Sequence, residues 1–186
     1  QSRKVDRIIL INNASTDGTV ECLKENGYLD HEEILLVNME TNTGGSGGFY
    51  EGMRQSLAVD CDWVWVMDDD TIPYEDSLEK LLDATGKPEG GVSFFASTVF
   101  GPEGEPMNVP HVSQRKASNG YTDWYRYLGD SLVEISDATF VSLLINKKAI
   151  EKCGLPCKDY FIWGDDYEYT CGLLSIMAEH ILLEQA

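Results

Sequence analysis

The chain has 186 residues, of which 42% are hydrophobic and 25% charged, a length and composition suited to one globular domain with a sizeable core. Its 14 Lys and Arg stand against 32 Asp and Glu for a net charge of −18, which argues against a nucleic-acid grip, because neutralising phosphates needs cations. That acidity is either a solvated surface or a means of attracting cations.

Segment 6–12 (DRIILIN) is a β-branched run that reads as a buried strand. It stops at Asn12-Asn13-Ala14-Ser15-Thr16-Asp17-Gly18, rich in turn and cap residues. Segment 19–26 reads as a helix with Val20, Leu23 and Cys22 turned inward, and Gly27 follows its end. Segment 33–38 is a second strand. The polar, glycine-rich stretch 40–48 leads into a helix over 49–58, and 62–67 (DWVWVM) is a third strand. A helix over 75–84 carries Leu78, Leu81 and Leu82 on one face, and 91–100 is a fourth strand. Strand and helix alternate with short connections, the pattern of βαβ units in a mainly parallel sheet, whose ligands gather at the carboxyl ends of strands.

The second half is less regular. Segment 102–123 is a long Gly, Pro, Ser and Asn-rich loop or hairpin of the kind that covers a site. Segments 132–135 and 140–145 read as strands, 147–153 as a short helix, and 171–186 as a helical apolar run. The five cysteines, Cys22, Cys61, Cys153, Cys157 and Cys171, form no CxxC pair and read as reduced structural thiols. No secretory leader or membrane-length apolar run is seen, so the segment reads as soluble.

Three motifs can carry chemistry. Asp68-Asp69-Asp70 follows the apolar run WVWVM. Adjacent carboxylates repel unless a cation or hydrogen bonds relieve them. In extended chain the first and third would share a face, so Asp68 and Asp70 could converge on a hard ion such as magnesium or manganese. The alternatives are an acidic strand end in water or a helix cap near Pro73. Four glycines fall within Gly44-Gly45-Ser46-Gly47-Gly48; they allow close backbone approach and offer N–H groups to an anion, or form a plain flexible turn. Asp165 and Asp166 lie among Trp163, Tyr167 and Tyr169. They read as a shielded general base or as acids in the first turn of a helix, and both can hold together. His31, His111 and His180 have no ligand spacing and read as structural or solvated. Trp124, Tyr125 and Tyr127 suit either sugar stacking or core packing.

Taken in order, RIILINNASTDGT, NTGGSGGF, WVWVMDDDT and FIWGDDYEY resemble family 2 glycosyltransferases, nearest the branch with rhamnosyl- and galactofuranosyltransferases. The resemblance implies an α/β GT-A (Rossmann-like) domain, a mainly parallel sheet flanked by helices with a small antiparallel portion, truncated at both ends and weakly active or inactive alone. It implies an inverting enzyme taking rhamnose or galactofuranose from a UDP- or dTDP-sugar to a polysaccharide or glycolipid acceptor. Asn12, Asn13, Ser15, Gly44, Gly45, Gly47, Asp69 and Trp163 would serve the donor. Asp68 and Asp70 would hold Mn2+ or Mg2+, and Asp166, paired with Asp165, would be the base. The setting would be cytoplasmic, at the inner face of the cell membrane, with peripheral association through regions outside this chain. Two other readings are a non-catalytic carbohydrate-binding domain and a sugar nucleotidyltransferase; the latter should carry a basic glycine-rich phosphate loop near its start.

Overall fold

A computed structural model describes the backbone of residues 1–88, 90–176 and 181–184, and side chains through residue 174 with the exception of residue 89. The elements run β1 (Ile8–Asn12), α1 (Thr19–Glu25), β2 (Ile34–Asn38), α2 (Gly44–Ser56), β3 (Trp63–Val66), α3 (Ser77–Ala84), β4 (Phe94–Ser97), β5 (Val99–Phe100), β6 (Pro106–Met107), β7 (Leu132–Ile135), β8 (Leu143–Asn146), α4 (Lys147–Cys153), α5 (Asp165–Ile176) and β9 (Ile181–Glu184).

The first βαβ unit forms as its pattern dictates: β1 and β2 pair in parallel, Ile8 opposite Ile34 and Asn12 opposite Asn38. The main sheet departs from expectation. Its order is β3-β8-β4-β9-β7, and β4–β9 is its parallel pair, whereas β3–β8, β4–β8 and β7–β9 are antiparallel. A mainly parallel sheet is therefore not what this chain builds. The unit β3-α3-β4 leaves a gap between its strands, and β8, arriving after the long excursion, fills it running the opposite way. Local alternation of strand and helix cannot report an insertion from later in the chain.

Two further readings change. The glycines of 44–48 are inside α2 rather than ahead of it. The helical reading of 171–186 holds over 171–176, whereas 181–184 is strand β9, paired with β4 and β7. His180 lies outside the described residues. Cys22, expected inward, is exposed; all five cysteines are free.

The main sheet is covered on both faces, and period-2 alternation divides its side chains. Phe94, Ala96, Leu143 and Ile145 join Met53 of α2, Ala149 and Ile150 of α4, and Tyr169 and Leu173 of α5. Phe95 and Leu144 point the other way, onto Leu78, Leu81 and Ala84 of α3. Asn146 ends β8 and starts α4 at once, its side chain accepting from Lys148 N. The excursion holds the short hairpin β5–β6 and single bridges Val112–Ile135 and Lys116–Thr122. Among the described residues no helix is long and apolar enough to cross a membrane.

Phe94 is fully buried at the centre of this arrangement. Phe94→Ala should cost about 3–5 kcal/mol in urea denaturation, whereas Tyr121→Ala, on an exposed turn, should stay within about 0.5 kcal/mol.

Candidate active site

The antiparallel insertion sets the edge of the sheet where the motifs meet. Ser142, just before β8, accepts from Trp65 Nε1 at 3.0 Å and shares a 2.9 Å hydroxyl contact with Ser97, so the ends of β3 and β4 and the start of β8 lie together. Asp68 follows β3 at this edge.

The asparagines after β1 are committed to other parts of the chain. Asn12 accepts from Ser15 N at 3.0 Å and donates to Asn38 Oδ1 at 2.8 Å. Asn13 Oδ1 accepts from Thr43 N at 2.9 Å and Thr43 Oγ1 at 3.1 Å, while its Nδ2 donates to Gly44 O at 2.8 Å. Asn13 therefore fastens the end of β1 to the start of α2.

The glycines of α2 divide by surroundings. Gly44 has φ +72°, and a Cβ there would overlap the carbonyl and ring of Phe161. Phe161 O accepts from Ser46 N at 3.2 Å, so the bare backbone of Gly44 lets the aromatic–acidic motif dock on α2. A Cβ at Gly47 would meet the Thr43 side chain, whereas Gly45 faces open space. Gly44 and Gly47 thus serve internal packing, and Gly45 is open to solvent.

Phe161 has φ 63° and ψ −62°, and Ile162 N donates to Tyr160 O at 2.7 Å, which makes a strained γ-turn. Trp163 and Gly164 also have positive φ, 69° and 96°. This contorted run turns the chain into α5, whose first turn holds Asp165 and Asp166. The helix start expected here is present, with both carboxylates in its first turn. The expected aromatic shielding is corrected: Trp163 is 85% exposed and Tyr167 is exposed, while Tyr169 is buried and donates from its hydroxyl to Gly154 O. Asp165 is buried and Asp166 half-buried, shielded by the fold rather than by Trp163.

Burial raises the Asp166 carboxyl above the ordinary aspartate range; its hydrogen bond from Tyr167 N at 2.7 Å opposes this, and the Asp165 charge adds to it. Burial likewise raises Asp68, followed by the charges of Asp70, Asp69, Asp166 and Asp165. The two acidic motifs therefore lie within electrostatic reach of one another. The trio itself is not extended: Thr71 N donates to Asp68 O at 3.3 Å, closing a turn that leaves Asp69 and Asp70 exposed. Strand alternation does not apply, because β3 ends at Val66. Asp68 is the inward carboxylate, and Asp70 acts on it more strongly than Asp69.

Among the described residues, no three His, Cys, Asp or Glu side chains form a metal cage. The donor set still fits a hard divalent ion that binds through one or two carboxylates and fills its shell with substrate phosphates and water.

Sequence reading missed His111 and Asp137. His111 Nδ1 lies 2.9 Å from Asp137 Oδ2, and Asp137 is buried. No ligand spacing marks a pair so far apart in the chain. Of the aromatic patch, Trp124 and Tyr125 meet edge to face at 5.9 Å, with Tyr125 exposed, and Tyr127 packs on the core beside α3.

The family model for Glycosyl transferase family 2 matches residues 1–154. The chain belongs to this family. It is 27% identical over 172 residues to galactofuranosyltransferase GlfT1 of Mycolicibacterium smegmatis (strain ATCC 700084 / mc(2)155), covering 90% of this chain and 55% of that protein. It thus spans about half the length of the curated relative it matches. Similar solved folds include the mannosyltransferase PcManGT of Pyrobaculum calidifontis in complex with GDP-Man and Mn2+, with TM-score 0.60, 17% identity, and 96% of this chain and 47% of that one covered. GalNAc-T7 with UDP, GalNAc and Mn2+ gives TM-score 0.64 at 13% identity, covering 96% of this chain and 36% of that one. S. aureus TarS 1-349 gives 0.64 at 14%, covering 95% and 48%. The architecture is the α/β fold of GT-A glycosyltransferases.

Two measurements check this site. Gly44→Ala should lose about 2 kcal/mol or more by urea denaturation, whereas Gly45→Ala should leave stability unchanged or higher. A loss of stability in Gly45→Ala but not in Gly44→Ala would reverse the assignment of the two glycines. Asp68 has a raised folded pKa, so its ionisation costs the fold nothing below the unfolded value, about 4, and the full amount above the folded value. In EDTA at neutral pH, Asp68→Asn should therefore melt higher than wild type. The gap should close as pH falls below the ordinary aspartate range.

Proposed function

We propose that this chain supplies the catalytic domain of an inverting glycosyltransferase. It would move galactofuranose or rhamnose from a UDP- or dTDP-sugar to a polysaccharide or glycolipid acceptor. The reading rests on Asp68, just after β3, and Asp166, at the start of α5, lying within reach of each other's charge, and on the raised carboxyl of each. The likeness to galactofuranosyltransferase GlfT1 favours galactofuranose, and the nucleotide and Mn2+ partners of the structural neighbours favour a metal-assisted nucleotide-sugar donor.

Each step follows from what these groups can do. The donor diphosphate lies over the acidic edge, with Asp69 toward the sugar, Gly45 leaving room for the donor and Trp163 beside it. Asn12, Asn13 and Ser15 shape the nucleotide end through their backbone ties. A divalent ion held by Asp68 and Asp70 would offset charge on the leaving diphosphate. Asp166, with Asp165 beside it, accepts the proton of an acceptor hydroxyl. That oxygen attacks the anomeric carbon from the side opposite the diphosphate. The bond to the diphosphate breaks as the new one forms, its electron pair leaves with the diphosphate, and the configuration inverts. A fixed site for this charge movement accelerates transfer more than tight donor binding does.

We place the reaction in the cytoplasm, at the inner face of the cell membrane, with contact to the membrane through regions outside this chain. The free cysteines suit a reducing compartment.

The test is a donor-hydrolysis and transfer screen of full-length protein with manganese across UDP- and dTDP-sugars. Asp166→Asn should lower transfer by about 10²–10⁴-fold while keeping the melting shift given by nucleotide and manganese. Wild-type transfer should fall on the acid side at a pH above the ordinary aspartate value of about 4, as the raised Asp166 carboxyl takes up its proton. Absence of both turnover and any nucleotide-dependent melting shift would instead point to a non-catalytic carbohydrate-binding domain.

A further inference from the structure

The described surface holds a second oriented proton-handling group near the first turn of α5. His111 lies in the excursion between β6 and β7. Its Nδ1 meets both Asp137 oxygens, at 2.9 and 3.1 Å, and its backbone N donates to Asp137 Oδ1 at 3.2 Å. Ser136 Oγ donates to Asp137 Oδ2 at 3.0 Å. Asp137 thus accepts from several donors, so Nδ1 of the neutral ring carries the hydrogen and Nε2 is left as a hydrogen-bond acceptor. The Asp137 side chain is 9% exposed and the His111 side chain 78% exposed. A buried carboxylate is spent on fixing the tautomer and direction of a ring whose far edge meets solvent.

This pair is tied to the candidate base. Ala138 N, next to Asp137, donates to Thr170 Oγ1 at 3.2 Å, and Thr170 Oγ1 donates to Asp166 O at 2.8 Å. The His111 ring meets the Tyr167 ring edge to face at 6.5 Å, and Tyr167 follows Asp166. Exposed Tyr167, Phe161 and Ile162 lie along the same run, presenting the apolar and aromatic surface on which sugar rings settle.

We infer that His111, oriented by Asp137, binds the acceptor saccharide through a hydroxyl donating to Nε2, on the α5 side of Asp166. The inference rests on the transferase reading and adds an acceptor-binding residue to it; Asp137 is a positioning residue.

The test uses full-length protein with UDP-galactofuranose and manganese as donor mix, and octyl β-galactofuranoside and octyl α-rhamnoside as acceptor probes. His111→Asn keeps an N–H directed at Asp137 but has no group at the Nε2 position. It should raise acceptor KM about tenfold and leave donor KM unchanged, with a wild-type melting temperature. His111→Ala should show the same split. A purely structural role would be rescued by His111→Asn, so wild-type acceptor KM in that variant overturns the inference. Equal rises in donor and acceptor KM would overturn it too. Wild-type protein that turns over neither donor nor acceptor would sink the transferase reading, and this inference with it.

Discussion

The architecture has to hold carboxylates together that repel one another. Asp68, Asp69 and Asp70 follow β3, and Asp165 and Asp166 open α5. Burial and its neighbours' charge push Asp68 toward its protonated form. Desolvating a charge beside like charges costs stability unless a counter-charge enters. A cation at this edge lowers that repulsion, whereas an anion alone adds to it. The net charge of −18 acts in the same direction at longer range, drawing cations toward the surface.

The restraint against this repulsion is steric and local. Phe161 is forced into a γ-turn, and its carbonyl is received by Ser46 N above a residue with no side chain, Gly44. Asn13 holds the same corner from the β1 side. Three segments distant in sequence are thus fastened at one point. The strained turn persists because its surroundings over-determine it. The aromatic Tyr169 and Leu173 of α5 anchor the helix in the core beyond it, so the charged first turn is held by apolar packing four and more residues further along.

The motif residues were legible as types. An apolar run ending in aspartates, a glycine-rich stretch and an aromatic–acidic run each announce chemistry, and the family and the α/β class, though not the strand directions of the main sheet, followed from their order. Their geometry was not legible. Extended alternation failed at Asp68-Asp69-Asp70 because β3 ends before them and a turn follows. The glycines read as a loop because glycine disfavours helix, yet contacts with Phe161 and Thr43 make Gly44 and Gly47 fit at the start of α2. His111 and Asp137 carried no signal, since their pairing depends on where the long excursion returns to β7.

By itself the sequence determined the local elements: α4 over Lys147–Cys153 and β7 over Leu132–Ile135 match their predicted bounds, and period-2 alternation divides Phe94 from Phe95 and Leu143 from Leu144. Such features depend on neighbours within a few residues. Only the tertiary structure decided that β8 enters between β3 and β4 in the opposite direction and that 181–184 closes the sheet as a strand. The physical reason is that strand pairing and close approach are selected by complementarity between distant segments, and a local pattern is compatible with more than one such partner.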